Sequence, residues 1–196
     1  MILNKSPKIY YETFAKKIDA DFECKKAEIT MGDEFNQYNL YITKEYKGIN
    51  IKVSSGYSQS PGKHQEYYIG RTIIKTEIEE QKEFYLYIWR KGLFSKLFNI
   101  KLKTGHRNFD SVFNYKTNRK KEIKNFFSNY NVRTQLLKNE FYILNIQYTK
   151  GVISIYLRMI QSPTKIENLN IMYNDFLLYI DELINSKLIS TSSHHK

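Results

Sequence analysis

Four histidines and a single cysteine are the side chains of this 196-residue sequence best suited to acid–base or nucleophilic work near neutral pH. His194 and His195 sit in the polar stretch Ser190 to Lys196, which reads as a mobile tail and removes them from any site. His64, beside Ser60-Pro61-Gly62, and His106, in Thr104-Gly105-His106-Arg107, remain as a pair that folding can bring together for hydrolysis. No third group is placed to orient them. Cys24 lies between Glu23 and Lys25-Lys26, where ammonium neighbours favour a thiolate, but no histidine partner is identifiable and a structural thiol is the plainer reading. There is no Gly-rich phosphate loop, no Gly-x-Ser-x-Gly elbow, no His-Glu-x-x-His helix and no Cys/His spacing that suits zinc. The expectation is a non-enzymatic chain with no catalytic residue, no metal and no cofactor.

Charge carries more information. Lys and Arg total 31 against 20 Asp and Glu, a net +11. Between residues 91 and 138 the cations run from Lys91 to Lys138 and only Asp110 and Glu122 oppose them. Phe94, Phe98, Phe109, Phe113, Tyr115, Phe126 and Phe127 are interleaved with them. Cations beside rings hold phosphates and stack bases in single-strand binders, or sit on an anionic membrane; equally, the rings are core and the cations their solvated reverse face. The candidate contacts to an anionic partner are Lys91, Lys96, Arg107, Lys120, Lys121 and Lys124, with Phe94 and Phe98 as candidate apolar anchors. Asp110 is expected to accept backbone N–H bonds and fix the entry to a strand at Phe113.

The elements that must position these residues follow from hydrophobic period. Tyr11, Phe14, Ile18 and Phe22 predict a helix over residues 8–22. Alternation predicts a hairpin from Tyr38 to Val53 about Lys47-Gly48, a long strand from Tyr67 to Ile78 and a fourth over Phe84 to Trp89. Ile100 and Leu102 suggest a short strand. Asn118 is a candidate cap for a helix that buries Ile123, Phe126, Phe127 and Tyr130, with a further turn or two to Lys138. A second hairpin, Phe141 to Met159 about Thr149-Lys150-Gly151, leads to a final helix from Ile166 to Ile184. Gly105 and the aromatic spacing predict a turn around His106 to Asp110.

The fold class expected is therefore α+β: an antiparallel meander of about four strands over residues 1–104, and a helix, hairpin and helix over 105–189 sharing its core, with 190–196 as the tail. With 29 Tyr and Phe and only 8 Gly and 3 Pro, disorder is excluded. A single cysteine permits no internal disulfide, so folding rests on apolar burial. The best candidate for a membrane span, Val152 to Ile160, is broken by Ser154 and Arg158, and the first seven residues lack an export signal. A soluble cytoplasmic protein is expected, in one reading peripheral to the membrane.

The segment Thr104 to Phe113 resembles a Gly-x-x-x-Phe-Asp-x-x-Phe element of uncharacterised bacterial domains of unknown function. Those domains often place the element after a β-meander and before a helix, a hairpin and a last helix, an order similar to this chain from roughly Tyr38 to Ile184. Members often carry transmembrane helices ahead of the domain, whereas this sequence starts with a soluble helix. The resemblance supplies no catalytic residues. It implies a fold-determining role for Gly105, Phe109, Asp110 and Phe113, which leaves the basic surface as the functional candidate: a module for an anionic partner or membrane surface, with a nucleic-acid-associated protein, or a hydrolase using His64 and His106, as alternatives.

Overall fold

Branched aliphatic residues at every second position build the sheet. The computed structural model describes residues 6–27, 36–59, 67–91, 102–138, 142–159 and 166–190. Among the described residues nine strands pair in one antiparallel sheet: β1 (Asp21–Lys26), β2 (Asn36–Tyr46), β3 (Ile49–Gln59), β4 (Tyr67–Ile69), β5 (Ile73–Glu79), β6 (Leu86–Arg90), β7 (Phe113–Thr117), β8 (Tyr142–Thr149) and β9 (Val152–Met159). Their order is β1-β2-β3-β5-β9-β8-β6-β7, with β4 joined to β3. The helices are α1 (Pro7–Lys17), α2 (Arg107–Val112), α3 (Glu122–Ser128), α4 (Tyr130–Lys138) and α5 (Ile166–Asn185). The class is mixed α+β.

One face of the sheet is mainly apolar, interrupted by buried Ser55, Thr76 and Thr117. Leu40 and Ile42, Ile51 and Val53, Ile74 and Ile78, Ile153 to Leu157 at alternate positions, Leu144 and Ile146, and Leu86 and Ile88 are buried on it. The helices meet this face through their own stripes. Leu169, Met172, Tyr173, Phe176, Tyr179, Ile180 and Leu183 recur at three and four residues along α5 and are all buried, each such side chain contributing ~1.5–3 kcal/mol. Phe14 of α1 meets Tyr173 edge-on at 5.7 Å. At the hairpin end, Tyr46 Oη donates to Asp181 Oδ2 at 2.8 Å and Lys47 Nζ lies 2.7 Å from Oδ1, tying α5 to the sheet.

Several expectations need correction. The sheet is larger than the expected meander of about four strands, and no helix-hairpin-helix half is set beside it, because the β8–β9 hairpin lies between β5 and β6 in the middle of the sheet. Both its strands are apolar on one face, so burial is complete only with sheet on either side. Strands from either side of residue 104 stand in one sheet, since β6 pairs with both β7 and β8.

The first helix stops at Lys17. Asp19 turns left-handed (φ 51°), Asp19 N–H reaches Lys16 O at 3.3 Å and Ala20 N–H reaches Ala15 O at 3.0 Å, a Schellman closure. Phe22 and Cys24 then alternate with Asp21, Glu23 and Lys25 as strand β1. The expected long strand divides at Gly70, where a Cβ would stand 3.1 Å from the Gly56 carbonyl oxygen, so the close approach of the two backbones favours glycine.

His106 to Asp110 enter a short helix rather than a turn. Asn118 caps nothing: its Oδ1 accepts from Tyr85 N–H at 3.1 Å and its Nδ2 donates to Glu83 O at 3.1 Å, closing the β6–β7 end. Extended Asn129 (ψ 119°) ends α3 and resets the phase, leaving Tyr130 71% exposed instead of buried. Leu102 is not in a strand, and its expected companion Ile100 lies outside the described residues.

Candidate anion-binding site

The basic central segment divides between the two ends of β7. At the Phe113 end, Asp110 Oδ1 accepts from Thr104 N–H at 2.9 Å and Thr104 Oγ1–H at 2.8 Å, and Oδ2 accepts from Gly105 N–H at 3.1 Å, as expected of a residue that fixes the chain before the strand. Gly105 is left-handed (φ 90°). Lys91 Nζ donates to the Asp110 carbonyl oxygen, and Arg107 is exposed at the start of α2. His106 is half-buried there, its N–H bonded to Thr104 Oγ1 at 3.1 Å.

At the Thr117 end lie Arg119, Lys120, Lys121 and, on α3, Lys124, the last three exposed. Four strand steps, about 13 Å, separate Phe113 from Thr117, so Lys91 and Arg107 flank one end of β7 and Lys120, Lys121 and Lys124 the other. Lys96, Phe94 and Phe98 lie outside the described residues, as does His64. Arg133 is committed to carbonyl oxygens, including Ser128 O at 2.7 Å, at the end of α3.

The interleaved rings are core. Phe109, Phe113, Tyr115, Phe126 and Phe127 are buried, with centroids 4.9 to 5.2 Å apart between Phe109 and Phe127, Tyr115 and Phe127, and Phe126 and Phe127. None of the five is presented for stacking on a partner.

The Thr117 end opens into a cleft of about 850 Å³, where the β5–β6 turn, the β8–β9 turn and the end of α5 converge. Lys82, Arg119, Lys150 and Lys187 line it, with Glu79, Glu80 and Ser190. Lys150 and Lys187 both hold left-handed backbone, with φ 49° and 57°, positions where glycine or asparagine is ordinarily preferred. Lys187 is the left-handed residue of a second Schellman closure: Leu188 N–H reaches Leu183 O and Lys187 N–H reaches Ile184 O, each at 2.9 Å.

Glu80 is already engaged. Its Oε2 accepts from Ser190 N–H at 3.0 Å and from the Ser190 hydroxyl, and its Oε1 from Lys82 N–H at 3.3 Å. Partial burial opposes its charge, yet these hydrogen bonds, the Ser190 hydroxyl first, leave the carboxyl below its ordinary pKa. Arg119 Nη1 lies 3.4 Å from Glu122 Oε1 and its Nε donates to Glu83 O at 3.4 Å, which holds the guanidinium in place at the mouth. The arrangement suits electrostatic capture of an anion, and no histidine lines it among the described residues.

Three of the four lining cations, Lys82, Lys150 and Lys187, were not legible as a group, since they come from three separate turns. Among the described residues no cluster of three metal-ligating side chains forms, and no helix is long and apolar enough to cross a membrane. The chain matches no protein-family model, no curated protein and no solved structure.

Proposed function

We propose that this protein is a non-catalytic cytoplasmic binding module that engages an anionic partner through the Thr117 end of the sheet. The observation that supports this reading is the convergence of Lys82, Arg119, Lys150 and Lys187 on one cleft, with exposed Lys120 and Lys121 next to Arg119 in the chain. Glu80 stays charged among its hydrogen bonds to Ser190 and the Lys82 amide, so the four cations stand against two lining carboxylates and keep a positive excess. Glu79 is the remaining carboxylate at the rim.

A cleft of this kind holds phosphate or carboxylate groups by charge-assisted hydrogen bonds, and its affinity falls as salt rises. The test is a titration of the protein with inorganic polyphosphate and with phosphatidylserine vesicles at low and high salt. Binding that weakens with salt, and that Lys150→Glu and Lys187→Glu each reduce, supports the reading. Binding that is absent at low salt, or indifferent to both charge reversals, overturns it.

A further inference from the structure

The second face of the sheet carries no helix among the described residues, and its side chains fall into transverse rows. The cross-strand register sets Lys75 of β5 beside Tyr156 of β9, Tyr156 beside Asn145 of β8, Asn145 beside Tyr87 of β6, and Tyr87 beside Lys116 of β7. This row therefore reads cation, ring, amide, ring, cation over four strand spacings, about 19 Å. Lys52 of β3 extends it past Lys75. In the neighbouring row Arg158 pairs with Ile143, and Trp89 pairs with Asn114.

Three observations point to a ligand. On β9, β8, β6 and β7 this face has no carboxylate among the described residues, whereas Arg158 and Lys116 are exposed on it; the acidic residues Asp21, Glu23, Glu45, Glu77 and Glu79 belong to β1, β2 and β5. Trp89 is 36% exposed, and Tyr87 and Tyr156 are half-buried, which puts three partly accessible rings on one polar face. Asn114, only 7% exposed, has an amide nitrogen with no hydrogen-bond partner among the described residues, beside that tryptophan.

We propose that this face binds single-stranded nucleic acid, with phosphates meeting Lys75, Arg158 and Lys116 and bases stacking on Tyr156, Tyr87 and Trp89. Rings spaced across a sheet face suit bases whose π-faces are free, which a duplex conceals. The half-buried Asn145 amide supplies a donor for base edges. This surface is separate from the cleft and does not depend on it.

Trp89 is the one tryptophan of the chain, so its emission reports directly on the face. Titration with single-stranded oligothymidine is expected to quench it, with an affinity that falls with salt at a logarithmic slope of about −0.7 for each phosphate contact. Tyr156→Ala should weaken binding about five- to a hundredfold while Tyr156→Phe retains it, as loss of one stacking platform requires. The pair Lys75→Glu and Arg158→Glu should weaken it further, with circular dichroism unchanged. Lys187→Glu, in the cleft, should leave quenching intact. No quenching, equal quenching by duplex DNA or phosphatidylserine vesicles, or unaltered binding by the folded face variants would overturn the proposal.

Discussion

Lys52 and Lys75 stand directly opposite one another across the β3–β5 pair. Like charges so placed oppose sheet formation. Each is partly relieved by a neighbour: Lys52 Nζ lies 4.3 Å from the Tyr41 ring centroid, and Lys75 Nζ lies 3.2 Å from Glu77 Oε1. Both contacts are exposed, so they offset little of the repulsion. The open face therefore keeps two cations side by side where packing alone does not require them.

Lys75→Thr separates stability from binding. It removes the facing charge and introduces a good strand residue, at the loss of one exposed ion pair, so unfolding free energy should change by less than about 0.5 kcal/mol. Oligothymidine affinity should nonetheless fall and its salt slope shrink by about 0.7. Urea unfolding and fluorescence titration of the same variant check both halves.

Asp110→Ala breaks three hydrogen bonds at once, to Thr104 N–H, Thr104 Oγ1–H and Gly105 N–H. A loss of about 2 kcal/mol is expected, a fall in Tm of roughly 4–8 °C for a chain of this size. Asp110→Asn, which keeps an acceptor, should lose less. A melting curve superimposable on that of the unaltered protein removes the anchoring role.

Lys187→Gly should stabilise the protein by about 1 kcal/mol, because glycine takes the left-handed position after α5 without a Cβ penalty. The same change should weaken polyphosphate binding. A variant that is more stable and binds less tightly would identify Lys187 as a residue retained for charge against its backbone preference. Differential scanning calorimetry and a binding isotherm decide this.

Glu80 gives the fold a specific acid sensitivity. Its carboxyl pKa is lower in the folded protein than the ordinary 4.5, so its contribution is present above that pH and declines as pH falls through the folded value. Glu80→Gln should lower Tm at neutral pH, and the difference should close below pH 4.5. Melting both proteins across that range tests the sign as well as the size.

Local pattern made the hairpins, the final helix and the role of Asp110 legible, because Lys47-Gly48, Lys150-Gly151 and the stripe from Leu169 to Leu183 each write their geometry into a few residues. The order of strands was not legible. Nothing within Tyr142 to Met159 says that the hairpin enters between Ile78 and Leu86, since that choice is made by long-range pairing of apolar faces. The site suffered from the same limit. Counting cations along residues 91–138 joined Lys91 to Lys121, which lie beyond opposite ends of β7, and overlooked Lys150 and Lys187, which the fold brings to Arg119 from far along the chain. Rings and cations that were adjacent in sequence, such as Phe126 and Lys124, are divided between core and solvent, whereas Tyr156 and Lys75 become neighbours only through register.

The central position of β8 and β9 makes the fold's completion wait for its last third. Before residues 142–159 have left the ribosome, β5 and β6 have no partner between them, and each fragment of sheet presents a raw edge of unpaired N–H and C=O groups. The hairpin is a keystone: shortened translation products that end before it should cling to one another through those edges instead of forming a smaller stable protein.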